Sequence, residues 1–209
     1  VESLAGRFRT AGDFGTFEHD LQLMATRTDF VHTNEKALGR SVALGLVACV
    51  ESVRSELFPE NPSVLRVSVQ GAGAIGSSVA KELSAGGYKV LVSDLDETKA
   101  FATGHTVLPA SEGLFAEADI LSPCAIGGVV SDSTWSKLRS KLICGAANNI
   151  VSDVDVHWHL HRNGTVFIPD VVSSAGAVVD GIGESILGMS DRTSLILKLG
   201  ETAKQVLQL

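Results

Sequence analysis

The stretch from Leu65 to Asp94, LRVSVQGAGAIGSSVAKELSAGGYKVLVSD, restricts what this chain can become more than any other. Leu65, Val67 and Val69 make a short apolar run that stops at Gln70 and Gly71, as a buried strand does. Gly71, Gly73 and Gly76 then form a Gly-x-Gly-x-x-Gly turn, and a helical run from Ile75 through Val79 and Leu83 ends at Gly86-Gly87. A second strand, Tyr88 to Ser93, leads to Asp94, 18 residues beyond the last glycine of the turn. The order has a physical reason. Gly71 permits the tight turn, Gly73 lets backbone approach a pyrophosphate, and Gly76 lets helix and strand pack closely, while the unpaired N–H groups around Ala74 and Ile75 hold an anion. Asp94 stands where a carboxylate accepts hydrogen bonds from both hydroxyls of an adenosine ribose and repels a 2′-phosphate, so NAD is expected rather than NADP. The alternative, a glycine-rich turn without a ligand, would not need every part in this order.

A single strand–helix–strand unit cannot bury a core alone, and 209 residues leave room for one large or two small domains. With 44% hydrophobic residues the chain is globular, and 17 basic against 24 acidic residues leave a net charge of −7 with no basic run. Nucleic acid and anionic membrane are therefore not expected partners. No apolar segment is long enough to span a bilayer and no signal-peptide pattern opens the chain, so a cytoplasmic location is expected. Cys49, Cys124 and Cys144 are few, odd in number and widely spaced, which argues for reduced thiols and against a disulfide framework or a zinc site. The chain begins at Val1 rather than Met, so further residues are expected upstream.

Residues 1 to 35 hold a glycine-punctuated loop, Gly6 to Gly15, followed by a short helical run with Phe17, Leu21 and Met24 on one face. A long helix from Asn34 to Leu57 repeats Leu46, Val50, Val53 and Leu57 at the spacing of a buried face, and Asn61-Pro62 halts the chain before the first strand. After Asp94 the pattern predicts a helix through Ala100, a strand at Thr106 to Leu108, an acidic helix from Ser111 to Ala116, and a strand from Asp119 to Ser122. That strand runs into Pro123-Cys-Ala-Ile-Gly-Gly128, and a strand from Lys141 to Cys144 runs into Gly145-Ala-Ala-Asn-Asn149. Both loops stand at carboxyl ends of strands, where ligands bind in open α/β sheets. Ser152 to Arg162 alternates like a strand, yet a parallel sheet needs a crossover there, so a helix with Ser152 as its N-cap is expected. Its His157, His159 and His161 read as a solvated face, with no acid or thiol pattern nearby to make a metal site. After a strand at Thr165 to Ile168, Pro169-Asp170 opens a helix through Leu187 with interior Gly176, Gly181 and Gly183; such glycines cost about 1 kcal/mol each against alanine and suggest a helix lining the cleft. Ser190-Asp191 caps a last helix, 190–209, whose Ile196, Leu199, Ala203 and Val206 form its buried stripe. The fold class is thus α/β, a Rossmann-type doubly wound parallel sheet with flanking N- and C-terminal helices.

Taken together, Gly6-Arg-Phe, Gly12-Asp-Phe-Gly15, Gly71 to Gly76, Pro123 to Val130, Gly145 to Asn149 and Pro169-Asp170…Ser174-Ala-Gly176 resemble the glutamate, leucine, phenylalanine and valine dehydrogenase family, most of all its leucine and phenylalanine branch. The resemblance implies reversible, NAD-dependent oxidative deamination of a hydrophobic or aromatic L-amino acid to a 2-oxo acid and ammonia. In that family a hydride leaves the substrate α-carbon for the nicotinamide and water attacks the imine. By resemblance Asp13 works in proton transfer, although spacing alone favours a turn residue satisfying its own backbone. Asn149 corresponds to a contact with the substrate carboxylate. Cys124, Ala125, Ala147 and Asn148 flank the nicotinamide and its ribose, Cys124 being as well explained by packing. Val42 stands where relatives often place a threonine, Ser174 replaces an asparagine, and Asp180 and Gly181 replace larger or neutral pocket residues; a small Gly181 would enlarge the substrate pocket. Residues 1–35 would be the end of a substrate domain and 36–209 the NAD-binding domain. The family's two catalytic lysines lie upstream of the matching region, and the first lysine here is Lys36. Those lysines would come from further residues or from another chain, a homo-oligomer or a partner; the alternative is a catalytically incomplete NAD-binding or regulatory protein.

Overall fold

A computed structural model of the protein describes residues 1–13, 15–60 and 64–207, so Phe14 of the Gly-Asp-Phe-Gly motif and the Asn61-Pro62 stop lie outside the described residues. The chain divides into two units, Val1–Ala37 and Leu38–Leu209. In the first, α1 (Glu18–Ala25) buries only Leu21. The expected apolar face of α1 is not formed: Phe17 is 63% exposed and stacks on His19, and Met24 is 41% exposed, because so small a unit offers little to pack against.

Among the described residues of the second unit, six parallel strands run in the order β3-β2-β1-β4-β5-β6. They are β1 (Arg66–Gln70), β2 (Lys89–Ser93), β3 (Thr106–Val107), β4 (Ile120–Pro123), β5 (Leu142–Ile143) and β6 (Val166–Phe167). Two rows of side chains make the two faces. Val67, Val90, Ile120 and Leu142 stand in register. They share a core with Leu46, Val50 and Val53 of α2 (Glu35–Leu57) and with Val79 and Leu83 of α3 (Ala74–Ala85). Leu121 and Ile143 point the other way, toward Val156 and Leu160 of α5 (Val154–Arg162). Each of these side chains contributes roughly 1.5–3 kcal/mol by leaving water, and helices on both faces are what a parallel sheet requires.

Several local expectations are corrected by packing. The acidic helix at Ser111–Ala116 is only a 3-10 turn, Gly113–Phe115, because Gly113 is pressed onto β2, where a Cβ would come 1.8 Å from Ser93 Oγ. The N-cap of α5 is Asp153, not Ser152: its Oδ1 accepts from the Asp155 and Val156 N–H groups, and the Ser152 hydroxyl donates to Oδ2. The face bearing His157, His159 and His161 is not wholly solvated, since the half-buried His159 ring stacks on Trp135 at 4.7 Å. Instead of one helix from Asp170 there are α6 (Asp170–Ser173) and α7 (Gly176–Ser185). The Ser174 hydroxyl takes the Asp170 carbonyl and that of Ser173 takes the Gly145 carbonyl, competing with helix continuation. The last helix is likewise broken into α8 (Thr193–Leu197) and α9 (Leu199–Leu207), where Gly200 meets the Ala48 carbonyl of α2. Between β2 and β3 lies α4 (Glu97–Ala102). Among the described residues, no helix is long and apolar enough to cross a membrane, and no group of three or more His, Cys, Asp and Glu is placed to hold a metal ion.

Candidate active site

The strand order reverses between β1 and β4, and the loops leaving their carboxyl ends flank the crevice where open α/β sheets bind ligands. The glycine turn starts at Gly71, whose N–H donates to Ser93 O at 2.7 Å and whose φ is +101°. A Cβ there would strike Ala125 at 2.7 Å, so the turn and the Pro-Cys-Ala loop are pressed together. At Gly76 a Cβ would lie 1.9 Å from the Gly71 carbonyl oxygen, which keeps α3 tight against its own strand. Gly73 is different. It is the exposed N-cap of α3, its φ of −68° suits any residue, and nothing lies within 4 Å of where its Cβ would be. No neighbour in the protein demands glycine at that position. A cradle that a side chain would fill, open at the start of a twelve-residue helix, suits a group that must touch backbone.

Asp94 follows β2 and is half-buried. One carboxylate oxygen accepts the Ala72 N–H of the glycine turn at 2.6 Å and the other accepts the Asp96 N–H at 2.8 Å. An ionised carboxylate has about four acceptor sites, so these two bonds aim the group and leave capacity for two hydroxyls.

The two outer loops are stapled to each other. Pro123 O accepts the Ala146 and Ala147 N–H groups at 2.9 and 3.0 Å, and Asn149 O accepts the Gly128 N–H at 2.7 Å. A Cβ on Gly127 would come 2.1 Å from Asn148 O. Asn149 itself has φ +52°, a left-handed conformation that asparagine tolerates better than most residues and glycine adopts freely. Its N–H donates to Asp170 Oδ2 at 2.9 Å, and both Asn148 and Asn149 side chains are exposed at the edge. Spacing pointed to Asp170 only as a helix opener; no local signal joins it to a turn 21 residues earlier. Cys124 sits beneath the glycine turn, its Cβ 3.2 Å from the Cβ position of Gly76 and its sulfur 3.6 Å from Ser122 Oγ. Burial pushes its thiol up to about 11, so at neutral pH it is neither a thiolate nor a nucleophile.

The structure therefore brings Gly71, Gly73, Ala74, Ile75, Gly76, Asp94, Cys124, Ala125, Ala147, Asn148 and Asn149 to one edge of one sheet. Asp13 belongs to the first unit, where it closes a turn: its N–H donates to Thr16 Oγ1 and its carbonyl accepts the Thr16 N–H. Val42 is buried in the main core. On α7, Gly181 is half-buried, while Gly176 and Gly183 serve packing: a Cβ would come 2.0 Å from Ser41 O and 2.7 Å from the Arg192 side chain respectively. Asp180 accepts from Ser41 Oγ at 2.8 Å and from Arg192 Nε at 2.5 Å, tying α7 to α2 and to the start of α8.

A family model described as Glutamate/Leucine/Phenylalanine/Valine dehydrogenase matches residues 92–201. Leucine dehydrogenase of Bacillus cereus is 30% identical over 207 residues, which cover 93% of this chain and 56% of that protein. Phenylalanine dehydrogenase of Lysinibacillus sphaericus is 28% identical over 225 residues, covering 100% of this chain and 58% of that one. The crystal structure of L-tryptophan dehydrogenase from Nostoc punctiforme matches with a TM-score of 0.76 at 28% identity, covering 99% of this chain and 62% of its own. The chain thus spans a little over half the length of the curated relatives it matches. With that match across more than half of its residues, and with the glycine turn, the Pro-Cys-Ala loop and the double asparagine meeting at one sheet edge, the chain belongs to the glutamate, leucine, phenylalanine and valine dehydrogenase family, on its leucine and phenylalanine side.

Proposed function

We propose that this chain is the NAD-binding part, together with the end of the substrate domain, of an L-amino-acid dehydrogenase that deaminates a hydrophobic amino acid. The observation that carries the proposal is Gly73: an exposed glycine in an ordinary backbone conformation, with open space where a side chain would go, meets no neighbour that requires it, and a diphosphate touching backbone there would require it. The N–H groups of Ala74 and Ile75 would hold the diphosphate of NAD, and Asp94, already aimed by two backbone donors, would take the adenosine ribose and repel a 2′-phosphate. Ala125, Ala147 and Asn148, with Cys124 packed behind them, would line the nicotinamide half. Bound there, NAD supplies the acceptor for the α-carbon hydride of the amino acid. The chain's own residues orient the reactants: Asn149 would hold the substrate carboxylate, Asp13 would move a proton at the α-amino group, and Gly181 would leave room for a bulky side chain. The names of the leucine, phenylalanine and tryptophan dehydrogenases among its relatives support this substrate class. Residues 1–35 would complete a substrate domain whose lysines come from further sequence or from a second chain.

The test is a fluorescence titration with NADH and NADPH, followed by assays of leucine, phenylalanine and tryptophan with NAD, with and without any co-purifying chain. NADH should bind in the micromolar range, on the order of −8 kcal/mol, and NADPH at least about tenfold more weakly. Equal affinity for the two would remove Asp94 from the role given to it, and no NADH binding would end the proposal.

A further inference from the structure

The carboxyl edge of this sheet has no countercharge of its own for an anionic cofactor. The segments that join each strand to the next helical turn are 71–73, 94–96, 108–112, 124–134, 144–153 and 168–169. They contain Asp94, Asp96, Glu112, Asp132 and Asp153 but no lysine or arginine. A dinucleotide placed on the glycine turn would therefore bring a diphosphate dianion into a negative neighbourhood, where those segments offer it only backbone N–H groups.

The geometry points to Arg40 as the cation that supplies this charge, a further cofactor-contacting residue on the site proposed above, and the inference rests on that reading. Helices α2 and α3 lie side by side with their starts together. At one end, a Cβ on Gly39 would come 3.1 Å from the Ala74 carbonyl oxygen and 3.3 Å from Ser78 Oγ, in the first turns of α3. At the other end, Glu51 accepts the Tyr88 hydroxyl at 2.6 Å and the Arg54 guanidinium lies over the Tyr88 ring at 5.2 Å, just past the end of α3. Arg40, Leu44, Val47, Glu51 and Arg54 recur at alternating spacings of four and three, so they form a single stripe of α2. Those contacts place the far end of the stripe alongside α3, and its near end, Arg40, falls beside the glycine turn. The Arg40 side chain is exposed, and among the described residues no carboxylate pairs with it. An arginine there can offer two parallel N–H donors to a pair of diphosphate oxygens, a geometry that lysine does not reproduce.

The experiment compares NADH and adenosine binding to the wild-type chain, Arg40→Ala, Arg40→Glu and Arg40→Lys over a range of salt concentrations. Arg40→Ala should weaken NADH about tenfold or more at low salt, Arg40→Glu further, and Arg40→Lys should recover part of the loss. The dependence of NADH affinity on salt should flatten in Arg40→Ala, whereas adenosine, which has no phosphate, should bind all variants alike. Wild-type chain that binds NADH while Arg40→Ala matches it within twofold overturns the inference and leaves the cofactor site standing. Wild-type chain that binds no NADH overturns both. An equal loss for adenosine and NADH would also overturn it, because the substitution would then be acting on the fold and not on the diphosphate.

Discussion

Two glycine-rich regions of this molecule look alike in sequence and differ in what surrounds them. In α7, Gly176 and Gly183 are fully occupied by the protein: each would-be Cβ lands inside another residue, Ser41 in one case and Arg192 in the other. In the turn from Gly71 to Gly76, the outer two glycines are occupied in the same way, but the middle one faces empty space. A glycine is informative about a ligand only when the chain itself gives no reason for it. By that measure the turn is the better candidate for a ligand, and α7 is a packing helix whose expected cleft-lining role rests on Gly181 alone.

The comparison can be broken first at its occupied positions. Gly176→Ala and Gly76→Ala would each drive a methyl group into a backbone carbonyl, at 2.0 and 1.9 Å respectively. Each should cost about 3 kcal/mol, a fall in Tm of roughly 6–12 °C. Gly73→Val is the contrasting case: Tm should change by no more than about 3 °C while NADH affinity falls at least about tenfold. Thermal melts beside NADH titrations decide the matter, and a Gly73 variant that unfolds as readily as Gly76→Ala would erase the distinction between the two kinds of position.

A smaller effect tests whether the edge is held from outside the turn. Asp170→Ala removes the acceptor of the Asn149 N–H and should cost about 1 kcal/mol, with faster amide exchange at Asn148 and Asn149. Asn149→Gly, which adopts the left-handed conformation without penalty, should recover stability in that background but not any contact made by the lost side chain. The smallest effect at neutral pH is that of the buried thiols. Burial raises Cys124, under the glycine turn, to about 11 and Cys49, which donates to Leu199 O of α9, to about 12, against an ordinary value of 9.0. The unfolded chain ionises first. The stability these thiols contribute is therefore complete below about pH 9 and is lost progressively as pH rises from there toward 11 and 12. Urea melts between pH 7 and 10.5 should show the decline, and Cys49→Ala should blunt it.

Much of the architecture was legible because its causes are local. The apolar runs at 65–69 and 88–93, the glycines between them and the buried stripe of α2 each depend on residues a few positions apart, and the helix, strand and order they imply are those observed. Local pattern failed where a distant partner decided the outcome. The expected helix at 111–116 collapses to a 3-10 turn because β2 presses on Gly113, and the helix from Asp170 breaks because the serine hydroxyls at 173 and 174 take carbonyl oxygens from Gly145 and Asp170. Asp153 displaced Ser152 as cap because its Oδ1 accepts two N–H groups of the first turn while the Ser152 hydroxyl is spent as a donor to its Oδ2.

What the amino-acid order alone determined is the parallel sheet, its glycine turn and the acid that ends its second strand, because strand and turn propensities act over a handful of neighbouring residues. Tertiary structure decided the rest of the site. The Asp170 carboxylate under Asn149, the Ser41–Asp180–Arg192 link and the nearness of Gly39 to Ala74 join residues that no periodicity relates. Such pairings arise only once the burial of two apolar sheet faces has fixed where each helix lies, and only then does an open space at Gly73 set that glycine apart from the packed Gly71 and Gly76.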